Sequence, residues 1–229
     1  MDTAMDIITI ESTDMSNGLP QLRLLHLVSP SLPVGAFTYS QGLEWAVECG
    51  WVTGRDSLRN WVVDLMQTSM TYLEVPLLGR LYRAAADGDT DAMAHWSHCL
   101  VAARETRELR EEERNRGRAL ATLLPELGVP VSAELLPSIR QCQLAGFAHA
   151  VGHWRIPLQQ AVEGYLWGWL ENMVLAGVKI VPLGQTAGQQ VIAELTALIP
   201  GAVVTGLQVE DASIGASCAN RHGERSEGG

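Results

Sequence analysis

Apolar residues recur at helical spacing along most of this chain, and most densely in residues 164–192, GYLWGWLENMVLAGVKIVPLGQTAGQQVI. Val162, Leu166, Trp169 and Met173, with Tyr165, Leu170 and Val174 beside them, form one face that must be buried. Gly164 and Gly168 lie one turn apart on the opposite face and admit close approach of a second helix. Trp167 and Leu175 share that side, so the helix is expected to be covered from two directions. Pro182 cannot continue a regular helix without losing a hydrogen bond. Residues 181–184 therefore read as a break, followed by a second helix over 186–199.

The same periodicity places the other elements. Residues 19–28 form a short amphipathic helix, with Ser16 or Asn17 as its cap and Pro20 in its first turn. The proline-rich stretch 29–37 does not suit a helix. Thr38 and Gln41 have capping-box spacing ahead of a helix that stops at Gly50. Asp56 or Ser57 caps the next, striped by Leu58, Trp61, Val62, Leu65 and Met66. Another begins at Thr71 or Pro76 and ends at Asp87-Gly88-Asp89. One long helix is expected over 90–124, then one over 138–154, then one opening at Pro157. The end from Pro200 reads as a mobile tail, with residues 202–209 the only stretch resembling period-2 alternation. The sum is an all-α fold of about eight helices. Its expected organisation is a flexible acidic leader over 1–18, one helical domain over 19–212 and a flexible tail over 213–229.

Residues 104–118 change the picture, because 11 of these 15 residues are charged. Arg104 with Glu108, Arg107 with Glu111 and Glu112 with Arg116 fall at helical spacing, each pair supporting a helix by about 0.2–0.5 kcal/mol. The apolar seam is thin, with Ala102, Leu109 and Leu120 its main members. Six arginines and five glutamates make this block nearly neutral in a chain of net charge −10. Either it is a solvated face or it is a docking surface, where the planar guanidinium is favoured. Lys179, the only lysine, is expected to pack its stem and keep its ammonium in water.

Charge and cysteine usage narrow the function classes. A pI of about 5.0 argues against nucleic acid as partner. The first 18 residues lack Lys and Arg and do not resemble a secretory signal. Cys49, Cys99, Cys142 and Cys218 are scattered without a CxxC, as free thiols in a reducing cytoplasm would be. The central run is long enough to cross a bilayer. Glu171, Asn172 and Lys179 inside it are costly there, so no membrane is expected.

Catalytic motifs are missing. Lys179 is followed by Ile180, which rules out a P-loop, and neither HExxH nor GxGxxG occurs. Ala176 stands where an SxxK motif needs its serine, and residues 215–219 lack the last glycine of a nucleophile elbow. His149 and His153 lie one turn apart, with Cys142 two turns earlier on nearly the same stripe. His95, His98 and Cys99 form a second such set, and Cys218 with His222 a third. Imidazole and thiolate at this spacing can share a metal. Each set falls short of the four ligands of a closed site, so neither a metal nor a cofactor is expected. The competing class is an all-α metal-dependent enzyme built around His149 and His153.

Three stretches together resemble the family of urease accessory proteins called UreF. They are residues 31–44, SLPVGAFTYSQGLE; residues 105–117, ETRELREEERNRG; and residues 176–185, AGVKIVPLGQ. They occur in the family's order, and the similarity spans roughly residues 19–215. At its end the chain departs from the family, whose short aromatic and basic tail has no counterpart in residues 223–229. The resemblance implies an all-α, non-enzymatic scaffold that dimerises. It implies partners too: UreD (also called UreH), the GTPase UreG, and apo-urease, to which the assembly delivers nickel. Gln41, Glu44, Arg107, Glu108, Arg110, Glu111, Lys179 and Gln185 fall within or beside the matching stretches and are the expected partner-interface residues.

Overall fold

The structure is a computed structural model that describes residues 18–34 and 42–215. Among the described residues there are helices and no strands. The leader to residue 17, the Thr38/Gln41 capping box, Cys218 and His222 lie outside them.

Helix α1 (Leu19–Leu27) and the short α2 (Leu43–Glu48) precede a long helical rod. The rod runs through α3 (Arg55–Leu65), a π-helical segment (Met66–Glu74) and α4 (Val75–Asp87). The sequence predicted two separate helices here. They are continuous because the backbone widens ahead of Pro76 instead of breaking. Thr71 Oγ1 donates to the Met66 carbonyl at 2.7 Å, five residues back. Pro76 has no N–H for the Tyr72 carbonyl one turn earlier. That carbonyl instead accepts the Gly215 amide at 2.9 Å, which draws the end of the described chain onto the rod.

The expected long helix over 90–124 is two helices, α5 (Thr90–Ala103) and α6 (Arg107–Glu126). The expected helix over 138–154 likewise divides into α7 (Leu136–Gln141) and α8 (Gln143–His153), with extended backbone at Cys142. The central run is α9 (Leu158–Ile180), ending at the predicted break, and α10 (Gln185–Thr196) follows. The predicted mobile, strand-like end is another helix, α11 (Ile199–Leu207), then a single 3-10 turn (Asp211–Ser213). Pro200 falls in the first turn of α11, where a missing N–H costs nothing.

The core lies between α4, α8 and α9, where Leu77, Leu78, Leu81, Leu144, Val151, Leu166 and Leu170 are fully buried. The two glycines of α9 receive α1 as expected. A Cβ at Gly164 would lie 2.9 Å from the Leu24 side chain, and one at Gly168 would lie 3.0 Å from the Val28 carbonyl. Gly177, nine residues beyond Gly168 and so on the other side of α9, is filled by Leu58 of α3. No single helix among the described residues is long and apolar enough to cross a membrane; α10 and α11 pass such a test only as a pair, bent by 43°.

Helix α8 ends in a Schellman turn, with Ile156 N–H donating to Val151 and Arg155 N–H to Gly152. Arg155 thereby occupies φ +55°, the left-handed region usual for glycine. Its side chain is exposed. Arg155→Gly should therefore stabilise the protein by about 0.5–1 kcal/mol, visible as a higher urea midpoint at unchanged slope.

Candidate functional site

The charged block owes its shape to Arg104. As the first residue of a surface i, i+4 pair it would contribute only about 0.2–0.5 kcal/mol. Instead its backbone is extended and its guanidinium turns inward. There Nη2 meets Glu74 Oε1 at 2.5 Å and Glu113 Oε2 at 2.9 Å. Both carboxylates are nearly inaccessible, at 1% and 4% side-chain exposure, so a missing counter-charge here would cost several times what the surface pair offers. That asymmetry is the reason the helix breaks. Thr106 then caps the new helix by accepting the Leu109 amide at 3.2 Å.

Further hydrogen bonds knit the cluster, although Arg116 Nε is buried without a partner. Tyr165 of α9 donates its hydroxyl to Glu74 Oε2 at 2.9 Å. The Gln143 amide, opening α8, donates to Glu113 Oε1 at 2.8 Å, and Arg116 reaches Gln143 Oε1 at 2.8 Å. Arg116 also faces Glu112 at 3.6 Å, the one predicted i, i+4 pair that forms as expected. Glu111 pairs with Arg118 and Arg114 rather than with Arg107. Five elements are thus tied at one point: the π segment, the α5–α6 corner, α6, α8 and α9.

The electrostatics follow from burial. Burial alone would push the Glu113 carboxyl up, but Arg104 and Arg116 outweigh it and hold it below the ordinary value. For Glu112 burial prevails over Arg116 and Arg104, and its carboxyl is raised. Tyr165 is pushed well up by burial and by the Glu74 charge, so its hydroxyl stays a donor. Arg116, Gln143 and Tyr165 border a cavity of about 60 Å³. That is far below the roughly 300–1,000 Å³ of pockets that take a small molecule.

The inward seam of α6 therefore differs from the expected one. Glu112, Glu113, Gly117, Leu120, Ala121 and Leu124 are buried, whereas Ala102 belongs to α5 and is exposed, and Leu109 is only half-buried. Gly117 is where α6 crosses α7; a Cβ there would collide with the Ile139 and Arg140 carbonyl oxygens.

Turning two glutamates inward leaves the remaining charges outside. Arg107, Glu108 and Glu111 are exposed on the first turns of α6. Arg110, also expected at an interface, reaches back to the Arg104 carbonyl at 2.5 Å and the Glu105 carbonyl at 3.2 Å. It braces the corner. Glu44 on α2, Lys179 on the last turn of α9 and Gln185 at the start of α10 are all exposed. Helix α6 packs on α7 and α8, whereas α10 packs on α9 and α3, so the expected interface residues fall into two groups on different parts of the bundle. Gln41 lies outside the described residues.

Among the described residues, the two histidine and cysteine sets are assembled only in part. The break at Cys142 takes its thiol off the stripe of His149 and His153, and burial, then the Glu113 charge, push that thiol well up. His149 Nε2 meets the Pro130 carbonyl at 2.8 Å, and His153 is exposed. His95 lies 3.7 Å from Cys99, while His98 is exposed. No group of three or more His, Cys, Asp or Glu side chains converges as a metal site among the described residues.

Sequence pattern alone missed Glu74 and Tyr165 as members of the cluster. Glu74 lies between Leu73 and Val75 in an apolar stretch, and that isolation is the only signal it offers.

Comparison with known proteins gives the chain its family. The family model UreF matches residues 52–196. The urease accessory protein UreF of Alcanivorax borkumensis is 50% identical over 204 residues, covering 85% of this chain and 88% of the relative. Those of Pseudomonas putida strain W619 and Azoarcus sp. strain BH72 are each 47% identical, covering 88% and 84% of this chain and 90% and 85% of the relatives. With the family model over more than half of the chain and such identity over nearly all of it, this protein belongs to the UreF family of urease accessory proteins.

Proposed function

We propose that the protein is a cytoplasmic, non-enzymatic scaffold that dimerises and joins UreD (UreH) to the GTPase UreG. In that role it regulates GTP-dependent nickel insertion into apo-urease, with nickel as cargo. The observation that carries this reading is the division of labour on α6. Its buried glutamates lock the helix in place through Arg104, and the same lock leaves Arg107, Glu108 and Glu111 projecting from a fixed backbone. Rigid presentation of arginine and glutamate lowers the ordering cost of association. The absence of a P-loop from the sequence fits a protein that leaves GTP chemistry to a partner.

Charge reversal tests the reading. Arg107→Glu and Glu111→Arg alter exposed positions, so each should change unfolding free energy by no more than about 1 kcal/mol. At an interface that excludes water the same changes should weaken dimerisation or capture of UreD and UreG by about 2–5 kcal/mol. The double reversal should not restore assembly, because Glu111 is paired with Arg114 and Arg118 rather than with Arg107. Both single variants assembling with wild-type affinity would remove α6 from the proposal.

A further inference from the structure

On α5, His95 Nε2 lies 3.7 Å from the Cys99 sulfur, one turn further along the helix. The backbone beneath the pair is fixed. Asp89 caps the start of α5 by accepting the Ala92 amide at 2.9 Å, and Met93, Ser97 and Leu100 bury its inner face. The imidazole is held as well, edge-on to Trp96 with ring centroids 4.6 Å apart. Trp96 in turn packs against the core. His95 is exposed and Cys99 half-buried, so a cation can reach both donors from solvent.

The separation of the two donors selects the ion. Metal–sulfur bonds of about 2.3 Å and metal–nitrogen bonds of about 2.0–2.1 Å, set at a tetrahedral angle, put the donors about 3.6 Å apart. At the right angle of an octahedral ion the same bonds would put them only about 3.1 Å apart. His95 and Cys99 are therefore spread to the bite of a tetrahedral ion. Imidazole with thiolate suits a zinc-class cation, whereas magnesium and calcium take oxygen donors. No third His, Cys, Asp or Glu converges there among the described residues, so the other positions of the tetrahedron are left to water. We propose that His95 and Cys99 form an open site for a zinc-class divalent cation, the Cys99 thiol proton leaving to solvent as the metal binds. Open positions make the cation exchangeable, as it is not in a closed four-ligand site. Half the ligands of such a site give roughly half its binding free energy, which sets a dissociation constant on the order of 10 µM. The inference stands apart from the scaffold reading, since it needs neither a partner nor urease.

The test titrates the full chain, reduced and freed of metal by chelator dialysis, with cobalt(II) as a spectroscopic stand-in for zinc. Thiolate bound to cobalt absorbs in the near ultraviolet, which reports on the cysteine directly. Wild type should develop this band with a dissociation constant on the order of 10 µM. Added zinc should abolish the band and added magnesium should leave it. Cys99→Ala should lack it altogether. His95→Ala should bind at least about tenfold more weakly, the least that losing even an outer-shell partner of a metal ligand costs. Alanine suits a helix position, and far-UV circular dichroism checks that each variant is folded. If Cys99→Ala unfolds, His95→Ala, altered at an exposed position, decides the matter. A band that persists in Cys99→Ala, or wild-type affinity in His95→Ala, overturns the site. Displacement by magnesium overturns the class of cation. Wild-type protein that shows no band at roughly a hundred times the expected constant overturns the proposal outright.

Discussion

Arg104→Met should lower the unfolding free energy by about 3–5 kcal/mol, the cost of leaving buried charge without its partner. The variant strands Glu74 and Glu113, which are nearly inaccessible and otherwise face each other across the vacated position. Arg116 contacts Glu112 and Gln143 and cannot reach both carboxylates. The sign of the pH dependence follows from the same geometry. In wild type the Glu113 carboxyl is held below its ordinary value, so its contribution is complete above that value and lost as pH falls through the lowered one. In the variant the Arg104 charge that offsets burial at Glu113 is gone, so that carboxyl shifts towards the protonated form and stability falls as pH rises above the ordinary carboxyl range. The gap between the two proteins should therefore be widest near neutrality and narrow on acidification, which urea titrations at several pH values will measure. A triple variant, Arg104→Met/Glu74→Gln/Glu113→Gln, should recover most of the loss, since neither stranded carboxylate then remains. A deficit independent of pH would assign the loss to packing instead.

Gly117→Ala should destabilise by about 2–3 kcal/mol, as overpacking of a tight contact does. The opposing atoms are the carbonyl oxygens of Ile139 and Arg140, and backbone cannot turn aside as a side-chain end can. The sign is diagnostic, because Gly→Ala inside an unobstructed helix gains up to about 1 kcal/mol. Gly201→Ala supplies that comparison, since nothing lies within 4 Å of a Cβ at Gly201 on α11. Gly117 is one turn beyond Glu113, so parting α6 from α7 also strains the bond from the Gln143 amide. Capture of UreD and UreG by Gly117→Ala should fall at temperatures where the variant is still folded, if the fixed position of α6 governs docking.

The element type was legible in the sequence wherever one face is apolar. The spacing of Leu166, Trp169, Leu170, Met173 and Val174 marked α9, and Gly164 with Gly168 marked where another helix would lie close. Those features act within a few turns, so local pattern carries them. Three boundaries depended on distant partners. The α5–α6 corner exists because Arg104 is matched to Glu74, 30 residues away. The π segment keeps α3 and α4 continuous, and the Tyr72 carbonyl freed by Pro76 is satisfied from Gly215. The Cys142 break releases the Gln143 amide for Glu113.

The site divides the same way. Composition marked residues 104–118 as charged and arginine-rich, and it could not say which charges turn inward. An isolated helix would send all of them to water. The tertiary structure buries Glu112 and Glu113, engages Arg110 at the corner, and leaves Arg107, Glu108 and Glu111 outside. The sequence by itself determined an all-α chain with a dense α9 and an arginine–glutamate helix. Only the packed structure decided where that helix begins and which of its charges face out, because a buried carboxylate is tolerated only where a matching cation from another element arrives.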